Sequence, residues 1–157
     1  MTKFQLKIFL KAAYEIILVF LQLFIISLHF LKWEFIPEKQ IIQVTPFSYF
    51  VGFLIIIIAF IILLVAIKDL GRNLSPFPRP LNNSDLVTKG IYRFTRHPMY
   101  YSLIFISLGV FVKKLSIYYL ILSISLILII KFKIALEEQY LKNKFKNYLL
   151  YKNEVKY

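Results

Sequence analysis

Residues 90–130 read GIYRFTRHPMYYSLIFISLGVFVKKLSIYYLILSISLILII. A basic, aromatic cluster runs straight into two apolar runs, 98–112 and 115–130, parted only by Lys113 and Lys114. At 1.5 Å per residue each run makes a helix of roughly 22–24 Å. The pair reads as a tight helical hairpin whose two lysines snorkel to the far membrane surface. A re-entrant pair is the alternative.

Working outward, two longer apolar runs precede this hairpin: 12–31, and 47–67 after Pro46. Each meets the roughly 20 residues that a helix needs to cross a bilayer. No small-residue cleavage site follows the first run, because HFLKWEF comes next, so it reads as a retained membrane helix. The expectation is an all-α, polytopic membrane protein of about four transmembrane helices, forming one membrane-embedded unit over residues 1–157. A polar loop spans 68–97 and a polar tail 131–157.

Composition agrees. The 157 residues are 59% hydrophobic with mean hydropathy +0.69, above the apolar share of soluble domains. There are no cysteines, which excludes disulfides, thiolate metal sites and a cysteine nucleophile. The net charge of +12 sits between apolar runs, which favours anionic lipid headgroups over nucleic acid as the partner. Sixteen of the twenty Lys and Arg residues lie in the N-terminal arm, the loop and the tail. The positive-inside rule then puts both termini, the loop and the tail on the cytoplasmic face.

The loop alternates prolines in SPFPRP, residues 75–80, which favours a semi-rigid extended path. Gly90 reads as a turn point needing positive φ. The four glycines fall at equal spacing, but their flanks do not match, so no repeat is inferred. The tail looks helical, with Leu141, Phe145, Tyr148 and Leu149 at three- and four-residue spacing. Glu138 and Lys142 form an i,i+4 pair there. Glu15 reads as an interfacial acid that snorkels.

Pro98 suits the first position of a helix, with His97 as its cap. The free amides of Met99 and Tyr100 then offer an anion site. Arg93 and Arg96 add charge, and Tyr92, Tyr100 and Tyr101 add aromatic faces. Such a cluster suits a ligand carrying an anionic group and a flat or cationic part; an interfacial anchor is the other reading. Glu137 and Glu138 leave the membrane on the same side. They could hold hydroxyls or a positive charge, or simply pair with Lys133, Lys142 and Lys144. No metal site is expected. His29 is placed far from His97, and the chain has no HxxxH.

LVTKGIYRFTRHPMY, residues 86–100, resembles the core motif LVTxGxYxxxRHPxY of the isoprenylcysteine carboxyl methyltransferase family. EEQYLKNKFKNYLLYKNEV, residues 137–155, is similar to its second block. The stretch GRNLSPFPRP looks like bacterial, phospholipid-methyltransferase-like members of that family. The resemblance implies an integral membrane methyltransferase of a bacterial cytoplasmic membrane that uses S-adenosylmethionine and acts on a lipid-like or prenylated acceptor. Carried over by position, Ser84, Asp85, Leu86, Val87, Tyr92, His97, Pro98, Met99, Tyr100 and Glu137 would contact the cofactor. Lys133 would meet the substrate, standing where the family has Arg. His97 and Arg96 would serve the chemistry. The alternatives are phospholipid amine N-methylation and an NADPH-dependent membrane sterol or enone reductase.

Overall fold

The computed structural model describes residues 2–31 and 39–156. Lys32 and the KWEF run, part of the first-loop reading, lie outside the described residues. Five α-helices follow in order: α1 (Lys3–Leu28), α2 (Pro46–Leu70), α3 (Pro98–Lys114), α4 (Ile117–Lys144) and α5 (Tyr148–Glu154). Short 3-10 turns cover Gly71–Asn73 and Gly90–Arg93. Among the described residues no strand forms, only one isolated bridge between Gln40 and Ser116. Among the described residues three helices, α1, α2 and α4, are long and apolar enough to cross a membrane. The chain is an all-α polytopic membrane protein.

The helix starts are chemically marked. Thr2 with Gln5, and Thr45 with Ser48, form reciprocal capping boxes ahead of α1 and α2. Pro46 and Pro98 open α2 and α3, where a missing N–H costs nothing. The Ser116 hydroxyl accepts from the Tyr118 amide at the start of α4.

Two segments differ from the sequence expectation. At 17 residues, or about 26 Å, α3 is the shortest helix of the bundle proper. In contrast, α4 does not stop at Ile130 but continues unbroken to Lys144, about 42 Å. Lys131 and Lys133 end the apolar run, not the helix, because lysine propagates a helix well. The expected tail helix is therefore divided: its first part is the second half of α4, and Tyr148 and Leu149 belong to α5 after a break at residues 145–147.

Within the bundle, α3 packs on both α2 and α4, and α1 lies against α4. The faces follow the partners. Gly52, Ala59 and Ala66 are the buried residues of α2, two turns apart. A Cβ on Gly52 would lie 2.6 Å from the Gly109 carbonyl oxygen, and one on Gly109 would lie 2.9 Å from the Gly52 carbonyl oxygen. Two of the equally spaced glycines thus face one another, and α2 and α3 cross backbone to backbone. Leu122, Leu126 and Ile130 of α4 pack with Ile25 of α1 in the core.

A polar seam stitches three helices. His29 Nε2 lies 2.8 Å from Ser107 Oγ, which lies 2.8 Å from Ser123 Oγ. At the hairpin tip Leu115 turns the chain with φ +48°. Lys113 lies over the Tyr49 ring at 4.5 Å and Lys114 over the Tyr119 ring at 5.8 Å. Opposite the tip, the C-terminal ends of α2 and α4, the start of α3 and the 71–97 loop come together.

Candidate active site

The loop folds back on the helix ends. Gly90 has φ +63°, and the Ile91 amide beyond it donates to Asp69 Oδ2 at 2.8 Å. This pins the 90–93 turn to the end of α2. The Tyr92 hydroxyl then reaches the Ala66 carbonyl at 3.5 Å. Asn73 exchanges two 3.2 Å bonds with the backbone of Asp85, and Arg72 meets the Asp85 carboxylate at 2.6 Å.

The tail covers the other side. Tyr148, Tyr151 and Val155 form a buried cluster with Leu86, Leu141 and Phe145. Burial raises the phenols of Tyr92 and Tyr148 above the usual range and pushes Tyr151 up to about 12. All three stay protonated at neutral pH, and the Tyr151 hydroxyl donates to the Tyr92 carbonyl at 2.6 Å.

Between loop, α3 and α4 lies a pocket of about 820 Å³, mouth included. Ser84, Asp85, Leu86, Val87, Tyr92, His97, Met99, Tyr100 and Glu137 line it. Nine of the ten residues carried over as cofactor contacts thus share one cavity. The tenth, Pro98, is buried beneath it as the first residue of α3.

His97 and Glu137 are the polar centre. The His97 side chain is 3% exposed, and its ring stacks on Tyr100 at 5.8 Å. Its Nδ1 lies 4.0 Å from Glu137 Oε1, and its Nε2 lies 3.5 Å from Glu138 Oε1 without a hydrogen-bond partner. The Tyr148 hydroxyl, also in the lining, is likewise buried without a partner. Tyr100 donates to Glu137 Oε2 at 2.7 Å. Natural interiors leave few such groups unpaired, so this wall suits a polar ligand.

The two glutamates divide their tasks. Glu138 takes Arg96 Nε at 3.0 Å and Lys152 at 2.5 Å, in place of the expected Lys142 pair. Arg96 also donates to the Val155 carbonyl. Its fork joins loop, α4 and tail, while part of it lines the pocket. Lys133 is 2% exposed and donates to Gln22 Oε1 at 2.5 Å and to the Pro76 carbonyl at 3.0 Å. It lies behind Tyr100, 5.3 Å from that ring.

Glu15 does not snorkel. It is 5% exposed and accepts from Arg79 Nη2 at 3.1 Å and from the Tyr140 hydroxyl. The sequence reading also missed the proline segment as a wall. Ser75, Phe77, Pro78, Arg79 and Pro80 all line the pocket. Their alternating prolines were the available signal, since a stiff path suits a fixed wall.

No curated protein and no solved structure matches the chain. The family model described as phospholipid methyltransferase matches residues 47–148, from the start of α2 through the loop and pocket to Tyr148. That family stands in the same group of membrane methyltransferases as the isoprenylcysteine carboxyl methyltransferases. With two thirds of its length matched, the chain belongs to the phospholipid methyltransferase family.

Proposed function

We propose that the chain transfers a methyl group from S-adenosylmethionine to the amine of a membrane lipid. The observation that carries this is the convergence of buried His97, Glu137 and the first residues of α3 on one cavity.

The residues present fit the cofactor. The amides of Met99 and Tyr100 stand at the N-terminus of a 17-residue helix, where a carboxylate is favoured. Glu137 accepts from hydroxyl or ammonium groups. Tyr92 and Tyr100 present rings beside which a sulfonium is stabilised. When bound, S-adenosylmethionine supplies a methyl group on a good leaving group, ready for in-line displacement.

The chain's own work is then positioning, water exclusion and one proton. Leu86, Val87, Leu141 and Phe145 close the cavity with apolar surface, which keeps water from the methyl group. The Arg96–Glu138 pair, with the Val155 carbonyl, holds the loop, α4 and the tail in register, so that two reactants meet at fixed orientation. An ammonium must lose a proton before it attacks. His97, in the cavity lining, accepts it as general base. A carboxylate acceptor needs no such base, which is why a histidine in the lining favours an amine.

The test is transfer of label from methyl-labelled S-adenosylmethionine to lipids by purified protein in vesicles. The reading expects base-stable label in a phospholipid fraction. Base-labile label, released as methanol, would instead mark a carboxyl acceptor of the prenylcysteine kind. Label in neither fraction, from folded protein, would overturn the proposal.

A further inference from the structure

A second cavity, about 760 Å³ with its mouth, lies beside the first. It opens between one face of α1, carrying Ala12, Glu15 and Ile16, and the proline segment. Ser75, Phe77, Arg79 and Pro80 line both cavities. A single stretch of backbone is therefore the partition between them, and Arg79 is the charged residue on it.

Arg79 is built to face this space. Glu15, 6% exposed at its side chain, holds one guanidinium nitrogen, while the Arg79 side chain is 50% exposed. A guanidinium has five donors in a planar fork, so Glu15 and Tyr140 leave donors free on this half-exposed side chain. The Arg79 Cζ lies 5.4 Å from the Tyr140 ring, and Lys11 Nζ lies 4.0 Å from the same ring. Lys11 and Arg79 against Glu15 leave one net positive charge. In its lining Ile16, Phe77 and Leu81 are exposed apolar groups. A cationic fork at the edge of apolar surface fits an anionic head on a greasy body.

We propose that Arg79 and this cavity bind the phosphate of a phospholipid acceptor, while the group beyond the phosphate crosses the partition toward His97. The inference rests on the lipid methyl-transfer reading and adds the residue that selects the acceptor. A carboxylate held at Arg79 would itself be the reacting group and would stop at the partition. A phosphate diester leaves a further group free to pass it.

Native mass spectrometry of detergent-purified full-length protein tests this without any methyl transfer. The probes are phosphatidylethanolamine, diacylglycerol with the same chains, and inorganic phosphate. Wild type should retain phosphatidylethanolamine at least about tenfold better than diacylglycerol. Arg79→Gln should lose that preference, and Arg79→Lys should recover part of it. Equal retention of diacylglycerol, or an unchanged preference in Arg79→Gln, overturns the proposal. So does inorganic phosphate that displaces the lipid at equal concentration, which would mark a free-anion site. The wild-type comparison decides even if Arg79→Gln does not fold. Failure to bind S-adenosylmethionine would sink the methyl-transfer reading and leave the lipid preference a separate result.

Discussion

At the scale of the residue, Gly90 is the least replaceable position near the pocket. Its φ of +63° already favours glycine. A Cβ there would lie 2.0 Å from Asp69 Oδ2, the atom that anchors the 90–93 turn. Gly90→Ala should cost at least about 1–2 kcal/mol from backbone strain alone, and more if Asp69 must release the Ile91 amide. Thermal unfolding in detergent would show it as a lowered midpoint; an unchanged midpoint would mean that the turn is not under this constraint. Tyr151→Phe removes the donor to the Tyr92 carbonyl. With that carbonyl left unpaired, about 1–2 kcal/mol should be lost by the same measurement. Some of this scale is legible in sequence. Gly90 and Pro98 announce themselves, because positive φ and a missing N–H are properties of the residue itself. Glu15 does not. Its burial depends on Arg79 and Tyr140, which lie 64 and 125 positions away, and no local pattern reports such a partner.

At the scale of the element, α4 is the rail on which the site is mounted. Lys133, Glu137, Tyr140 and Lys144 recur every three or four residues along one face. Lys133 takes the Pro76 carbonyl, Tyr140 takes Glu15 beside Arg79, and Lys144 takes the Leu81 and Asn82 carbonyls and the Ser84 hydroxyl. The same face that carries pocket-lining Glu137 therefore also holds the proline wall. Hydropathy conceals this, since it splits α4 at Lys131 into a span and a tail. The hydrogen-bonded helix obeys propensity rather than polarity and runs on. The α2–α3 crossing is equally hidden, because Gly52 and Gly109 reveal their partnership only when the helices meet. Gly109→Leu should force α2 and α3 apart, with a Cβ already 2.7 Å from Ile56 Cγ1. The expected loss is about 1–3 kcal/mol, read as a lower unfolding midpoint; a wild-type midpoint would contradict the close crossing. Glu138→Gln leaves Arg96, 12% exposed at its side chain, without its ionic partner. Breaking a buried pair in this way costs about 3 kcal/mol. The tail beyond Lys144 should then become the first site of limited proteolysis, whereas protection equal to wild type would show that Arg96 is not what holds it.

At the scale of the whole molecule, four helices bring one end of the bundle to a shared purpose. The loop between α2 and α3 supplies the wall, α3 supplies its N-terminus and His97, and α4 supplies the carboxylates. The tail folds back as a lid of tyrosines. Two sequence blocks about forty residues apart converge on one cavity because α3 and α4 form an antiparallel hairpin. That much follows from their apolar runs and the two lysines between them. The wall from Ser75 to Pro80 and the cavity beyond it required the fold, since they arise from contacts among α1, α4 and the loop. In the proposed reaction the α3–α4 pocket binds S-adenosylmethionine through Glu137 and His97. The direct measurement is calorimetric titration of S-adenosylmethionine into detergent-purified wild type, Glu137→Gln and His97→Ala, with NADPH as the control ligand. Wild type should show saturable one-site binding, weakened at least about tenfold in each variant, and no binding of NADPH. Binding of NADPH alone, or of S-adenosylmethionine with equal affinity in all three proteins, would contradict it.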